Sequence, residues 1–287
     1  MNIYDITSRQ FKNLKKYEVS SISTEGELYI INNHYKWIKE HSLFKKFFIT
    51  EGEYFSNKLY TINTLLYNKK DINIPELIFP NYLISIDHQI NGFAMPFIQD
   101  SINFAQALET TRLTMADKIR ILKQIQNVLN KVHSYPNFYI TDIHEANFLI
   151  NTKTGTIKVG DLDSCKIGAN NASPAKYLNT NKNIRSLSHK YVLNKEGIYE
   201  PNINSEIFCF LIIVLNTISG ININRLSIEQ FYDYISYLDT IGFDRNLIQT
   251  FGNIYTGKNN YIDNDLLNLI PLNHQSLYKI YTYNKTH

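Results

Sequence analysis

The sequence predicts an α+β protein: strands around a single helix in the first hundred residues, then a mainly helical remainder with a small β-hairpin at its start. Three observations predict it. Short β-type runs bounded by turn residues recur up to Ile98. A long apolar stripe at helical spacing follows Thr114. The most apolar stretch, residues 207–215, comes late and is far shorter than the ~20 residues of a membrane span, so it reads as a buried helix.

Each element has its own warrant. Residues 27–31 and 34–38 are short β-type runs separated by Asn32-Asn33, which predicts a tight hairpin. Over residues 55–67, Phe55, Leu59, Ile62, Leu65 and Leu66 fall on one helical face. Residues 82–86 and 93–98 flank Asn91-Gly92, a dipeptide suited to a type I′ turn. Thr114, with Asp117 three residues on, predicts a capping-box start for a helix carrying Ile119, Leu122, Ile125, Val128, Leu129 and Val132 as its stripe. Residues 148–150 and 156–159 read as a hairpin turning through Lys153-Thr154-Gly155, and helix resumes at about Ser205.

Composition narrows the function classes. With 44% hydrophobic and 19% charged residues the chain can form a packed core. A net charge of +3, with acids and bases interspersed, argues against a nucleic-acid surface. Cys165 and Cys209 make neither a disulfide framework nor a zinc pattern, and the expected compartment is reducing and cytoplasmic. The first 16 residues contain no apolar run of signal-peptide length. The eight histidines show no zinc spacing, and no G-x-S-x-G elbow exists. The 21 tyrosines and 16 phenylalanines are spread along the chain as core filling rather than as a base-stacking platform.

The chemistry concentrates in residues 141–165, TDIHEANFLINTKTGTIKVGDLDSC. Asp142 and Asn147 are spaced D-x-x-x-x-N, followed directly by an apolar strand, a Gly-containing hairpin, a second strand and Asp161. Two polar loop residues alone would merely cap turns. The strand–hairpin–strand context is what brings all three beside one cleft. This stretch resembles the catalytic and metal-binding loops of the protein-kinase-like superfamily, which includes aminoglycoside and choline kinases. Phosphoryl transfer needs neutralised phosphates and an oriented hydroxyl more than a strong nucleophile. The resemblance implies that Asp142 orients the acceptor hydroxyl or takes its proton, and that Asn147 and Asp161 give oxygen ligands to Mg2+.

Further segments in the same order extend the resemblance. Residues 21–28, SISTEGEL, take the spacing of the Gly-rich loop, with Ser21, Ser23 and Gly26 at its three glycine positions. Lys36, on the strand after the Asn-Asn turn, stands where the phosphate-orienting lysine sits, with Lys39 competing for the role. FAMPFI, residues 93–98, resembles the strand entering the interlobe hinge, with Met95 as gatekeeper and the Pro96 carbonyl and Ile98 amide facing adenine. Residues 205–220 resemble the buried central helix of the protein-kinase C-lobe, with Glu206 in place of the Asp that braces the catalytic loop and Cys209 in place of a Ser. There are departures. Thr141 precedes the catalytic Asp, and Asp161-Leu162-Asp163 replaces D-F-G, with Asp163 expected as a solvated loop acid. Lys58 falls where the N-lobe helix would carry a lysine-pairing glutamate. His144 matches a position that is His in several small-molecule kinases, and no A-P-E closes residues 170–201.

The implied architecture is a single two-lobed, kinase-like domain: a β-rich, nucleotide-covering N-lobe over residues 1–97 and a helical C-lobe over 98–287. The implied activity is ATP- and Mg2+-dependent transfer of the γ-phosphate to a hydroxyl-bearing acceptor, a protein Ser/Thr ahead of a small molecule. A pseudokinase that binds or scaffolds without turnover is the alternative from another class, motivated by the serines of the phosphate loop. No nucleic acid and no membrane span is expected.

Overall fold

The computed structural model describes residues 3–18, 25–31, 41–110, 113–168, 177, 200–257 and 261–272. Over these residues the chain is α+β, with a sheet-rich N-terminal part and a helical C-terminal part. β1 (Ile3–Ile6), β2 (Lys15–Lys16), β3 (Gly26–Ile31), β4 (Ser42–Phe47), β5 (Tyr82–Ile86) and β6 (Gln89–Pro96) form one sheet in the order β1-β5-β6-β4-β3-β2, with the short helix α1 (Ser8–Lys12) joining β1 to β2. β1 runs parallel to β5 and the other pairings are antiparallel. Side chains alternate across a strand, and here each face meets its own apolar cluster. Ile6, Ile31, Phe44, Tyr82, Ile84 and Ala94 pack on one side. Phe47, Leu83 and Phe93 on the other side meet Phe55 and Ile62 of helix α2 (Gly52–Asn68), on the face that the 55–67 spacing predicts.

Two hairpin expectations are corrected. The run 34–38 lies outside the described residues, and β3 does not have an edge for it: Tyr29 and Ile30 pair with β2 on one side and with β4 on the other. The antiparallel partner of β3 is therefore Ser42–Phe47, reached across a longer connection, with Ile31 opposite Ser42. The β5–β6 hairpin exists, but its turn is Asp87-His88 rather than Asn91-Gly92. Both turn residues have positive φ, 47° and 70°, as a type I′ turn demands. Asn91 instead accepts the Ile86 amide on its Oδ1 at 3.0 Å, beside a register shift at Ile84/Ser85. Gly92 is a packing glycine: a Cβ there would lie 1.9 Å from the Lys45 carbonyl oxygen.

The C-terminal part follows the predicted order. β7 (Ser101–Asn103), α3 (Phe104–Thr110) and α4 (Met115–His133) precede the loops of interest. α4 starts in the expected capping box, with the Thr114 amide donating to Asp117 at 3.2 Å and the Asp117 amide to Thr114 Oγ1 at 3.1 Å. β8 (Phe138–Tyr139) pairs with β11 (Lys166–Ile167), while β9 (Phe148–Asn151) and β10 (Ile157–Val159) form the predicted hairpin, with β7 on its edge. Helix α5 (Ile203–Ser219) is capped by Asn202, is apolar and buried on nearly every side, and ends at Gly220 with φ 70°. α6 (Ile228–Thr240), α7 (Arg245–Tyr255) and α8 (Asn264–Asn268) complete the part. Its core runs continuously from Leu65 of α2 to Ile270. Both cysteines are buried and form no disulfide, and among the described residues no helix is long and apolar enough to cross a membrane.

Candidate functional site

The loop between β8 and β9 carries Asp142 and is held from below by α5. Thr141 has φ 65°, an uncommon conformation for a β-branched residue, so something must enforce it. Glu206 of α5 accepts the Thr141 amide on Oε1 at 2.7 Å, and its Oε2 lies 2.6 Å from His133 Nε2 at the end of α4. The Thr141 hydroxyl donates to the Ser164 carbonyl at 2.7 Å, tying this loop to the one that follows β10. Glu206 therefore braces the loop from the position the sequence assigned to it. Glu145, also buried, accepts from the Tyr177 hydroxyl and from Asn216 Nδ2 of α5, the latter at 2.9 Å. The short helical turn over Glu145–Asn147 is thereby pinned. It directs Asn147 Nδ2 to the Asp142 carbonyl at 2.8 Å and to Asp142 Oδ2 at 3.3 Å. His144 Nε2 stands 3.3 Å from the same Oδ2, and the Asp142 side chain stays 22% exposed.

The loop after β10 carries Asp161 in a left-handed conformation, φ 57°. The Gly160 amide donates to the Asn147 carbonyl at 2.9 Å, so the Asp142–Asn147 and Asp161 loops lie side by side. Onto Asp161 comes Lys45 of β4, whose ammonium donates to Asp161 Oδ1 and to both Asp163 oxygens at 3.1 Å. Lys58 of α2 reaches the same place. It donates to Ser164 Oγ at 2.6 Å and to Glu25 at 3.0 Å, and it stands 3.5 Å from Asp163. Glu25, at the entry to β3, is also 3.5 Å from Lys45.

These charges shape one another. Burial alone would lower the Lys45 pKa, but Asp161, Asp163 and Glu25 outweigh it and hold the ammonium well above the usual lysine range. Burial would likewise raise Asp161, yet Lys45 and a hydrogen bond with Asp163 bring its carboxyl below the ordinary value. Asp163 is pushed up, by burial first and by the adjacent Asp161 carboxylate, against the pull of both lysines. The expectation of a solvated Asp163 is thus corrected: its side chain has no exposed surface. Lys58 of α2 and Lys45 of β4 thus share the buried Asp163 carboxylate.

Of the residues singled out from sequence, Asp142 and Asn147 share one loop, and Asp161 lies on the loop hydrogen-bonded to it. Ser21, Ser23 and Lys36 lie outside the described residues. Gly26 is described, and its glycine is explained by strand packing, since a Cβ there would lie 2.4 Å from the Lys46 carbonyl oxygen. Met95 and Pro96 sit on β6 opposite Leu43 and Ser42. Phe97 donates its amide to His41, and the Ile98 carbonyl accepts Ser101 Oγ at 2.7 Å. Sequence reasoning missed Lys45. A usable signal existed in the run Ser42–Phe47, SLFKKF, where strand alternation puts Lys45 on the same face as Leu43 and Phe47.

Carboxylate oxygens of Glu25, Asp161 and Asp163 lie within 4.8 Å of one another, with the Lys45 and Lys58 ammoniums within 3.5 Å of them. Asp161, the most exposed of the three, and Asn147 on the adjoining loop are the oxygen-bearing side chains that suit a hard cation. Together β4 and the two loops place a partly exposed carboxylate, oxygen donors suited to a cation and a buried ammonium side by side. In comparisons with known proteins, the chain matches no family model and no curated protein.

Proposed function

We propose that the protein is an ATP- and Mg2+-dependent phosphotransferase with a two-lobed, protein-kinase-like fold, moving the γ-phosphate to a Ser or Thr hydroxyl of a protein. The observation that carries this reading is the ion pair between buried Lys45 of β4 and Asp161, whose loop is hydrogen-bonded to the Asp142–Asn147 loop. A strand ammonium, a hydroxyl-orienting carboxylate and an oxygen-rich cation site are the parts that phosphoryl transfer requires, and their chain order matches that of the superfamily. A cytoplasmic setting belongs to the same reading.

In this reading Lys45 steadies the α- and β-phosphates. Asn147 and Asp161 would hold Mg2+, whose charge offsets that of the phosphates. Met95 and the backbone of Pro96 and Ile98 meet the adenine. Asp142 accepts a hydrogen bond from the acceptor hydroxyl and aims its oxygen at the γ-phosphorus. As the new P–O bond forms, the proton passes to Asp142 and ADP leaves. Asn147 Nδ2 and His144 fix the carboxylate, and Glu206 fixes the backbone beneath it. The α5 brace supports a protein acceptor, because the helix resembles that of the protein kinases. His144 beside Asp142 favours a second reading, a small-molecule hydroxyl acceptor.

Incubation with γ-labelled ATP tests both. Label on protein bands supports the first reading, and label on a small metabolite supports the second. Asp142→Asn and Asp161→Asn should each lose at least ~100-fold in turnover. Equal, negligible turnover by wild type and both variants would end the enzyme reading and leave a nucleotide-binding scaffold.

A further inference from the structure

Three donors from two elements converge on one partly exposed carboxylate, that of Glu25. Lys58 Nζ lies 3.0 Å from its Oε2 and Lys45 Nζ 3.5 Å, and the Tyr54 hydroxyl interacts with the same carboxylate. The remaining anion common to the two lysines, Asp163, is fully buried, whereas the Glu25 side chain is 27% exposed. Lys58 is buried on α2, a position that long charged side chains seldom take without a purpose-built set of partners. Two ammoniums and a hydroxyl around one displaceable carboxylate make a receptor for a tetrahedral oxyanion, since a phosphate group offers the same negative oxygens and accepts more hydrogen bonds than a carboxylate.

We propose that Lys58, with Tyr54, is a second phosphate-binding group beside Lys45, and that the Glu25 carboxylate holds the place of a phosphate until a polyphosphate ligand displaces it. The proposal rests on the phosphotransferase reading for its ligand, a nucleoside triphosphate. Its geometry is its own: the α2 cation and the Asp163 anion together reverse the charge that a helix glutamate would bring. Asp163 takes over the task of positioning Lys45, which leaves the α2 side chain able to bind ligand. Glu25 then acts as a built-in competitor that weakens binding of the free polyanion.

The experiment is calorimetric titration of the full chain with Mg-ATP and, separately, with inorganic tripolyphosphate, thermal unfolding confirming that each variant is folded. Glu25→Gln should tighten both ligands by about tenfold, because a competing charged hydrogen bond is removed. Lys58→Met in the Glu25→Gln background should weaken both by about tenfold or more, Lys58→Arg should restore much of the loss, and Tyr54→Phe should weaken both by a few-fold. If Glu25→Gln weakens binding or leaves it unchanged, the carboxylate is not a competitor and the proposal is overturned. It is also overturned if Lys58→Arg and Lys58→Met bind alike, or if neither ligand binds any form. Failure of the parent reading looks different. Tripolyphosphate would follow the pattern above while γ-phosphate transfer is absent, so the cradle would stand and the phosphotransferase would not. Conversely, Asp142-dependent transfer with silent Glu25 and Lys58 variants would sink the cradle alone.

Discussion

Glu206 and Asp163 are both buried carboxylates beneath the same pair of loops, and they are held in contrasting ways. Glu206 meets one backbone amide and one imidazole, each oxygen with its own donor. Asp163 meets two ammoniums that also reach out to Asp161 and Glu25. The first arrangement is closed and fixes a backbone, namely Thr141 at positive φ and hence Asp142 after it. The second is shared among competing partners, so one anion can leave without stranding the lysines. Buried charge can thus serve as a fastener or as an exchangeable receptor, and the number of partners per group decides which.

Substitutions that remove or duplicate a charge should separate the two. The largest effect is expected for Lys58→Glu, which sets a third carboxylate against Asp163 and Glu25. Urea unfolding should register a loss of about 4 kcal/mol, and adding Asp163→Asn should recover roughly half. A loss below ~1 kcal/mol would mean that Lys58 does not sit in the cluster. Glu206→Ala should cost about 3 kcal/mol, because the Thr141 amide and His133 both lose a buried partner. Glu206→Gln should cost under ~1 kcal/mol, since its amide can accept from Thr141 and still hydrogen-bond the His133 ring nitrogen. A large loss from the glutamine variant would show that the brace needs a charge and not merely two hydrogen bonds.

How much of this was legible in the sequence also differs between the two regions. Asp142, Asn147, Asp161 and Glu206 could be read because local structure places them: a hairpin of fixed length separates the loops, and an apolar helix announces itself. Lys45 could not, because its position depends on which strand pairs with β3, and that choice is made across the connection between Ile31 and Ser42. Asn32-Asn33 offered a plausible turn into residues 34–38, whereas β3 pairs with Ser42–Phe47. The two glycines beside β4 carry the information instead, since Gly26 and Gly92 let neighbouring strands close on the carbonyls of Lys46 and Lys45. Gly92→Ala should therefore cost about 2 kcal/mol and loosen the Lys45 strand, with earlier amide exchange in β4 and β6 than in α5. Uniform exchange in all three would place the strain elsewhere.

The smallest expected effect is a slope in the alkaline limb of stability. The Lys45 ammonium is held well above the usual lysine range, burial being outweighed by Asp161, Asp163 and Glu25. A raised folded-state pKa means that the folded chain keeps a proton the unfolded chain has released. The contribution is therefore complete below the unfolded lysine value of about 10.4, and it is lost as pH rises from there through the folded value. The acid limb carries less information: Asp161, lowered, favours the folded state above the ordinary aspartate range, while Asp163, raised, opposes it there. Unfolding free energies should run nearly parallel in wild type and Lys45→Met up to about pH 10, and above about pH 10.5 should fall by about 1 kcal/mol per pH unit more steeply in wild type. Parallel slopes would show that Lys45 is solvated, and the cluster would then lose the ammonium around which its carboxylates are arranged.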